Sequence, residues 1–346
     1  MSKARNLSLL STVEAGATTD QTKADLNAIG VSGGRKNLII NGGMQVAQRT
    51  ASATIATGDG KCVSLDRIVC RTYGGGGRIS LAQDSSAPEG HTYSAKVTVT
   101  TAQASGTYGY AIGQYVEGGN LYGIDFGQST AKSITLSFWV KASITGTYCV
   151  SFRNSVGNRS FVIEYAISAA NTWERKTITA SGDTAGSWPL NTTSAGLLLE
   201  WNIGGQTAKQ GTAGTWHGSN KTSTSNQTDI MATSGATFYL TGVQLELGSV
   251  ATDFEHRSYG EELALCLRYF WKDASITSWF FPIDDSNNTY FRSEVYFPKV
   301  MRSSPSVSVD TSITGVQQIS NNHVSLRLNY ISTYATWQGI TVDAEL

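Results

Sequence analysis

The sequence predicts a mainly β protein built on a two-sheet sandwich, and three observations carry this prediction. The stretch "SITLSFWVK" (133–141) alternates apolar and polar side chains almost without a break. The same period of two recurs in four further segments, and Gly- and Ser-rich turns separate them. Alternation of this kind buries one face of a strand and exposes the other. Many such strands with turn signals between them predict a sandwich, most simply a jelly roll.

Each periodic segment defines its apolar face by residues two positions apart. Because successive strand side chains point to opposite faces, these residues are expected to line one core. The predicted core-facing sets are Ile134, Leu136, Phe138 and Val140, then Tyr148, Val150 and Phe152, then Phe161, Ile163, Tyr165 and Ile167, then Leu197, Leu199, Trp201 and Ile203, and finally Tyr239, Thr241, Val243 and Leu245.

Composition along the chain predicts four regions. Residues 1–36 are small, polar and punctuated by glycine, so they carry too little apolar surface to fold alone and are expected to form an N-terminal anchor or arm. The jelly roll is expected over 37–257 and a connecting helix over 258–272. Strand-like runs interrupted by proline predict a small C-terminal β tip domain over 273–346.

The helix prediction rests on a start signal followed by an apolar stripe. Ser258 and Glu261 have the spacing of a capping box. A single helix of about 15 residues is marginal in water, so its stripe must pack on the β domains or on copies of itself. The second alternative makes the stripe an oligomerisation element, formed by Tyr259, Leu263, Cys266, Leu267 and Phe270.

Charge and hydropathy exclude two classes of partner. The chain carries 26 Lys and Arg against 26 Asp and Glu, so it has no net charge. Nucleic-acid binding driven by phosphate contacts needs clustered basic residues, and we therefore predict no nucleic-acid partner. No apolar run reaches the length of about 18 residues that a membrane-spanning helix requires, so no membrane span is predicted.

Acidic residues give no catalytic constellation. A polysaccharide hydrolase needs two carboxylates flanking its cleft. Glu164 and Glu200 alternate with core residues, so both are expected at outward, solvated positions. The four histidines lack the spacing of a zinc site. We therefore predict no catalytic residues, no enzymatic activity and no cofactor.

Tryptophans in polar surroundings indicate binding instead. Trp139 lies on the polar face of its strand, and "GTWHGSN" (214–220) places Trp216 in a polar loop with Asn220. Exposed aromatic faces stack on sugar rings, while amides and hydroxyls supply directed hydrogen bonds. In the alternative interpretation, a second sheet or a neighbouring subunit covers Trp139, and Trp216 closes the end of its own sandwich.

Several segments together resemble a known family. They are "NLIINGGMQVAQR" (37–49) with "SLDRIV" (64–69), the closing segment "FYLTGVQLELGSVATDFEHRSYGEELALCLRYF" (238–270), and "FPKVMRSSP" (297–305). With the "MSKAR" start, they resemble tail fibre proteins of tailed bacteriophages that contain a jelly roll like that of carbohydrate-binding modules. The resemblance covers most of the chain, and the closing segment is its most specific part.

The resemblance implies a virion structural protein of the tail fibre or baseplate periphery, assembled in the host cytoplasm. It implies a homotrimer whose N-terminal arm binds a phage tail, baseplate or adaptor protein, and whose other partner is a host cell-surface glycan or receptor. It also implies a structural calcium site, for which Asn41 and Asp253 are the candidates. Two alternatives stay open: a purely structural adaptor, decoration or head-fibre protein, and a polysaccharide depolymerase.

Overall fold

Strands dominate the part of the chain that the structure, a computed structural model, describes. Within it, residues 37 to 346 belong to one compact unit, Asn37–Leu346. The predicted arm lies outside the described residues except for Arg35 and Lys36. The described residues are 35–55, 58–104, 106–121, 123–273, 281–285, 288–309, 315–329 and 339–346.

Thirteen described strands build a sandwich of two antiparallel sheets. In chain order they are β1 (Ser52–Ile55), β2 (Gly58–Cys62), β3 (Val69–Thr72), β4 (Arg78–Asp84), β5 (Ser94–Thr101), β6 (Tyr110–Glu117), β7 (Ile134–Ala142), β8 (Gly146–Arg153), β9 (Ser160–Ile167), β10 (Glu174–Ala180), β11 (Ala195–Gly204), β12 (Trp216–His217) and β13 (Thr237–Leu247). One sheet has the order β1-β4-β5-β13-β7-β10, and the other has the order β12-β9-β8-β11-β6-β3-β2. The prediction of a mainly β sandwich is therefore confirmed.

The core lies between the inner faces of the two sheets, as the alternation predicts. Ile134, Leu136, Phe138 and Val140 of β7 have no solvent exposure. From the opposite sheet, Trp201 of β11 packs edge-on against Phe138, with ring centroids 5.5 Å apart. Burying each such side chain stabilises the fold by about 1.5–3 kcal/mol, so this core holds the two sheets together.

β13 departs from the predicted alternation at Gly242. Its register against β7 shifts between Thr241 and Gln244, which is a β-bulge, and Gly242 there adopts a positive φ of 59°. The bulge inserts one residue and reverses the side-chain phase. Phe238 and Leu240 face the core before it, and Val243 and Leu245 face the core after it. The prediction that Tyr239 and Thr241 share the face of Val243 and Leu245 was therefore wrong.

The helix is shorter than the predicted 258–272. It is α1 (Tyr259–Cys266), and both halves of the predicted Ser258–Glu261 capping box are present. After Cys266 the chain turns and enters a strand at Phe270, because Phe270–Asp273 pairs in register with residues 340–343. Ladder hydrogen bonds to another strand replace those that a longer helix would have made. Among the described residues, no helix combines the length and apolar character needed to cross a membrane.

Two smaller sheets follow the helix. Their strands are β14 (Phe270–Asp273), β15 (Phe281–Asp285), β16 (Asn288–Tyr296), β17 (Ser306–Val309), β18 (Gly315–Ile319), β19 (His323–Asn329) and β20 (Ile340–Asp343). The three-stranded sheet has the order β14-β20-β17, and the four-stranded sheet has the order β15-β16-β19-β18.

Arginines fasten this C-terminal region to the sandwich. The guanidinium of Arg49 lies 3.6 Å above the ring of Phe270 and forms ion pairs with Asp343 and Glu345. Arg67 also pairs with Glu345, and its guanidinium lies 3.6 Å above the ring of Tyr269. The three-stranded sheet and its flanking residues therefore pack on the jelly roll through charge-assisted contacts of two buried arginines.

Candidate functional site

The three predicted ligand-binding residues do not come together. Trp139 lies on the outer face of the six-stranded sheet, in register with Thr241 and Arg175. Trp216 forms part of β12 at the edge of the seven-stranded sheet. The side chain of Asn220 contacts the outer face of that second sheet, where its Oδ1 accepts a hydrogen bond from Arg153 Nη1 at 2.7 Å.

Trp216 closes the end of the sandwich. Its ring lies 5.5 Å from Phe126, 5.2 Å from Phe161 and 5.7 Å from Trp188, measured between centroids. Its indole N–H donates to the carbonyl oxygen of Ser181 at 2.9 Å. These contacts give Trp216 the packing role that the alternative interpretation described.

The outer face of the seven-stranded sheet carries a buried charged cluster centred on Glu200. Glu200 is fully buried, and its Oε1 lies 3.0 Å from Arg71 Nε and accepts a 3.0 Å hydrogen bond from the Tyr73 hydroxyl. Its Oε2 lies 2.8 Å from Arg153 Nη2, an ion pair outside hydrogen-bond geometry. The outward direction predicted for Glu200 is correct, but a solvated position is wrong, because two guanidinium groups and a phenol enclose the carboxylate.

Two tyrosines flank this cluster. The guanidinium carbon of Arg71 lies 5.2 Å from the ring centroid of Tyr73 and 5.6 Å from that of Tyr115, within cation–π distance of both. Arg71 Nη1 also donates to the Tyr115 hydroxyl. Both tyrosines are half-buried, so part of each remains accessible. We call the surface formed by Arg71, Tyr73, Tyr115, Arg153 and Glu200 the arginine–tyrosine face.

The loop 205–227 covers one side of this face. Asn202 Nδ2, on the outer side of β11, donates to the Thr222 carbonyl oxygen, and Gln227 Nε2 donates to the Asn202 carbonyl oxygen at 3.2 Å. The same loop places Lys209 Nζ 4.4 Å from the ring centroid of Tyr73. It thereby adds an amine to the two guanidinium groups, in addition to the amide of Asn220.

Burial changes the proton affinity of the groups in the cluster. Burial, with a further contribution from the Glu200 carboxylate, raises the pKa of Tyr73 above its ordinary value, so this phenol stays protonated and donates. For Arg71, burial acts to lower the pKa, but the Glu200 carboxylate together with Tyr73 and Tyr115 outweighs it, and the net pKa is raised. The face therefore presents fixed donors and fixed positive charge.

The opposite face of the sandwich combines aromatic rings with lysines. Tyr239 is in register with Lys96 on one side and Lys141 on the other. Lys141 Nζ lies 4.0 Å from the ring centroid of Tyr239 and 5.0 Å from that of Trp173. We call Lys96, Trp139, Lys141, Trp173 and Tyr239 the tryptophan–lysine face. Its lysines pair with outward side chains, Lys96 with Asp84 at 3.2 Å and Lys141 with Ser86 at 2.7 Å.

A histidine packs beside Trp139 on this second face. The ring of His91 lies 5.0 Å from that of Phe254 and 5.6 Å from that of His256. A Cβ atom added at Gly242 would lie 2.8 Å from the His91 ring and 2.9 Å from the Trp139 ring. The glycine of the bulge therefore leaves the space that both rings occupy.

The predicted calcium ligands have different environments. Asn41 is fully buried, its Nδ2 donates to the carbonyl oxygens of Val46 and Asp66, and its Oδ1 accepts from the Val46 N–H. Asp253 is exposed. Among the described residues, no group of three or more His, Cys, Asp or Glu side chains is arranged to hold a metal ion. Asn41 thus serves the turn that contains it, and structural calcium stays a prediction.

The predicted oligomerisation stripe packs largely within its own chain. Cys266 is fully buried in a cluster with Ile40, Val46 and Tyr269, and Leu263 packs against the same cluster. Phe270 lies beneath the guanidinium of Arg49. Cys266 and Phe270 are buried and therefore unavailable to a second copy. Of the other predicted residues, Leu263 and Leu267 are half-buried and Tyr259 is 56% exposed.

The sequence did not identify five residues of this region as candidates: Arg71, Tyr73, Tyr115, Arg153 and Lys209. A signal for four of them was present, because the alternation that buries Val150 and Phe152 places Arg153 outside, and the same period applies to Arg71, Tyr73 and Tyr115. The order of strands in the sheet, which brings these positions together, was not readable from the pattern.

The chain matches no protein-family model, and a comparison with curated proteins finds no relative. Similar solved structures include the enzymatically active domain of bacteriophage CBA120 tailspike protein 4, with 14% identity and a TM-score of 0.33 over 61% of this chain but only 21% of the tailspike chain. A CBM4 carbohydrate-binding module shows 12% identity and a TM-score of 0.32, over 60% of this chain and 97% of its own. The family 11 carbohydrate-binding module of the cellulosomal cellulase Lic26A-Cel5E of Clostridium thermocellum shows 14% identity and a TM-score of 0.29, over 60% and 100%.

Proposed function

We propose that this chain is a non-enzymatic virion protein of the tail fibre type, and that it binds saccharides on its arginine–tyrosine face. The sequence resemblance in the segments 37–49, 238–270 and 297–305 supports the virion assignment. The composition and geometry of the face support the binding assignment.

The observation that carries the proposal is the juxtaposition of Tyr73 and Tyr115 with fixed polar groups. Half-buried rings offer apolar faces to sugar rings, and hydroxyl, amide and guanidinium groups orient the sugar hydroxyls. The ion pairs with Glu200 and the covering loop fix the side chains of Arg71 and Arg153 before any ligand arrives. A preorganised site loses less conformational entropy on binding.

Binding fits this face better than hydrolysis. Glycoside hydrolysis uses two carboxylates on either side of the scissile bond. Glu200 is the single carboxylate among the five residues that define the face, and its two oxygens point at Arg71, Arg153 and Tyr73. A carboxylate held in this way positions its neighbours and is not placed to attack or protonate a sugar.

The test is a glycan array probed with the purified chain. The variants Tyr73→Ala and Tyr115→Ala are expected to lower binding by about fivefold to tenfold each, because each removes a stacking ring. Tyr239→Ala, on the tryptophan–lysine face, is the matched control and is expected to leave binding unchanged. The same array tests the sequence-based candidates through Trp139→Ala and Trp216→Ala. The proposal is overturned if wild type binds no saccharide, or if only Tyr239→Ala reduces binding.

Adsorption to host cells separates a receptor-binding fibre from a purely structural adaptor, decoration or head-fibre protein. For the fibre, we expect adsorption that free saccharide inhibits and that Tyr73→Ala weakens. We also propose that the fibre is a homotrimer with Tyr259 in the interface, since this side chain is the most exposed of the predicted stripe. Light scattering that gave the mass of one chain would contradict the trimer.

A further inference from the structure

We infer that the arginine–tyrosine face selects acidic saccharides, which carry a carboxylate on the sugar, and that it does so through Arg71 with help from Lys209. This inference rests on the proposed function and deepens it by naming the class of ligand. It follows from the charge balance of the cluster, the geometry of Arg71 and a polar group left without a partner.

The charge balance of the cluster is positive. Arg71 and Arg153 share the single carboxylate of Glu200, with contacts of 3.0 and 2.8 Å. Two guanidinium charges against one carboxylate leave one positive charge in a cluster whose charged side chains are almost fully buried, with Arg153 at 5% and Glu200 at 0% exposure. Charges in such surroundings are screened less than in water, so the surplus strongly favours an anion.

Arg71 can meet that anion. Its Nε faces Glu200 and its Nη1 donates to the Tyr115 hydroxyl, while 12% of the side chain stays exposed. A guanidinium has five N–H donors in a planar fork that matches a carboxylate. Tyr73 and Tyr115, on either side, provide ring faces at which the sugar itself can stack.

An unpartnered hydroxyl lies beside Glu200. Ser151 of β8 is opposite Glu200 in the strand register and on the same outer face. It is fully buried, and its Oγ has no hydrogen-bond partner. A buried hydroxyl without a partner costs about 1–3 kcal/mol. Ser151 therefore adds an unpaired hydroxyl to the polar groups beneath the face, next to Glu200.

Lys209 provides a second positive group at the rim. It ends a short helical turn in the loop 205–227 and lies 4.4 Å from the ring centroid of Tyr73. Lys96, on the opposite face, is the counterpart of Lys209, since the Nζ of Lys96 lies 5.4 Å from the ring centroid of Tyr239. The chain therefore offers a matched pair of lysines, each beside a tyrosine and each on a different face.

The test compares trigalacturonic acid with its methyl ester by isothermal titration calorimetry. The two probes share their sugar rings, and the ester differs from the acid in that a methyl group caps each carboxyl group and removes its charge. We expect wild type to bind the acid at least tenfold more tightly than the ester at low ionic strength, and this advantage to shrink as salt is added. Binding of trisulfated oligosaccharide at the strength of the acid would show selection of charge in general and would overturn the preference for carboxylate.

Three single-residue variants test whether Arg71 and Lys209 cause the preference for the acid over the ester. Lys209→Gln is expected to weaken binding of the acid by about threefold to tenfold and to leave the ester unchanged. Arg71→Lys keeps the charge but loses the fork, and it is expected to reduce the preference for acid over ester. Lys96→Gln, the matched control, is expected to change neither. A loss with Lys96→Gln equal to that with Lys209→Gln would overturn the location.

The glycan array distinguishes failure of the preference for acidic saccharides from failure of saccharide binding itself. Binding to neutral glycans alone, or equal binding of acid and ester, overturns the inference and leaves the proposed function standing. Binding to no glycan of either kind overturns both. Thermal unfolding of each variant, expected within a few degrees of wild type for Lys209→Gln and Lys96→Gln, identifies any loss that comes from misfolding.

Discussion

The two outer faces of the sandwich use similar side chains in opposite ways. Each combines at least one tyrosine with two basic residues and one acidic partner. On the arginine–tyrosine face the carboxylate of Glu200 is fully buried between two guanidinium groups. On the tryptophan–lysine face, Lys96 and Asp84 keep 33% and 24% of their side chains exposed.

The difference comes from what covers each face. The loop 205–227 folds over the seven-stranded sheet and bonds to Arg153 through Asn220, and Arg153 and Glu200 keep only 5% and 0% exposure. Arginine suits this environment, because its guanidinium is weakly hydrated and bonds in a fixed plane, whereas a lysine amine is strongly hydrated and favours an open surface. Similar side chains therefore form a preorganised cluster where they are buried and solvated pairs where they are exposed.

The largest expected effect is the loss of Glu200. Glu200→Gln keeps the shape of the side chain but leaves Arg71 and Arg153 buried without a counter-charge. Breaking a buried ion pair in this way costs about 3–5 kcal/mol of the free energy of unfolding. Chemical denaturation of wild type and variant measures this difference.

Lys96→Gln is the matched change on the tryptophan–lysine face. It also breaks an ion pair by a charge-to-amide substitution, but the pair is partly exposed and its loss is expected to cost about 0–1 kcal/mol. Similar losses for the two variants would refute the comparison, since they would mean that burial does not distinguish the faces.

The bulge beneath Trp139 is the site of the next effect. Gly242→Ala places a Cβ 2.8 Å from the His91 ring and adds strain at a φ of 59°. We expect a loss of about 1–3 kcal/mol in the free energy of unfolding, with changed tryptophan fluorescence. Gly235→Ala is the control, because it has a φ of 80° and nothing within 4 Å of its Cβ, so it measures the backbone strain alone. Equal losses would show that the rings are not in the way.

A smaller effect than that at Gly242 is a pH dependence on the tryptophan–lysine face. Burial, with a smaller contribution from His256, lowers the pKa of His91 from 6.5 to about 4. The folded state therefore resists protonation that the unfolded state accepts, so the stabilisation is present above pH 6.5 and is lost as the pH falls towards 4. Because the ring is half exposed, we expect a loss of only about 1–2 kcal/mol across this window.

The difference between wild type and His91→Gln isolates this contribution. Other groups titrate in the same range, among them Asp66, whose pKa burial raises to about 6. Groups remote from His91, such as Asp66, contribute equally to both proteins, so the variant should lack the share of His91 and of its interaction with His256. An unchanged pH dependence would show that His91 does not supply it.

The sequence predicted the strands well, because their signal is local. The alternation at Ile134–Val140 predicts which side chains contact the core, and the Ser258–Glu261 capping box predicts where the helix begins. The end of the helix was not predictable in this way. Cys266 is followed by Leu267 and Phe270, which fit the helical period, and only pairing with a strand some 70 residues later makes Phe270 extended.

The candidate site depends on positions that no local pattern connects. Arg71, Tyr115, Arg153 and Glu200 come from β3, β6, β8 and β11 or their ends, and they meet because these strands are neighbours in the sheet. Sequence analysis favoured tryptophans, whose exposure is easily supposed from polar neighbours. Trp216 shows the weakness of that argument, since the polar residues around it belong to a loop that lets the indole reach the core.

The bulge in β13 also constrains how this strand can change length. Phe238 and Leu240 lie on one side of Gly242, and Val243 and Leu245 lie on the other, with all four directed into the core. Deleting Tyr239 or Gln244 would place the two members of one pair on opposite faces, whereas deleting Gly242 would remove the bulge and leave all four side chains in regular alternation. Within β13, a single-residue deletion is therefore expected to be tolerated best at the bulge. The soluble yields of variants that lack Tyr239, Gly242 or Gln244 would test this expectation.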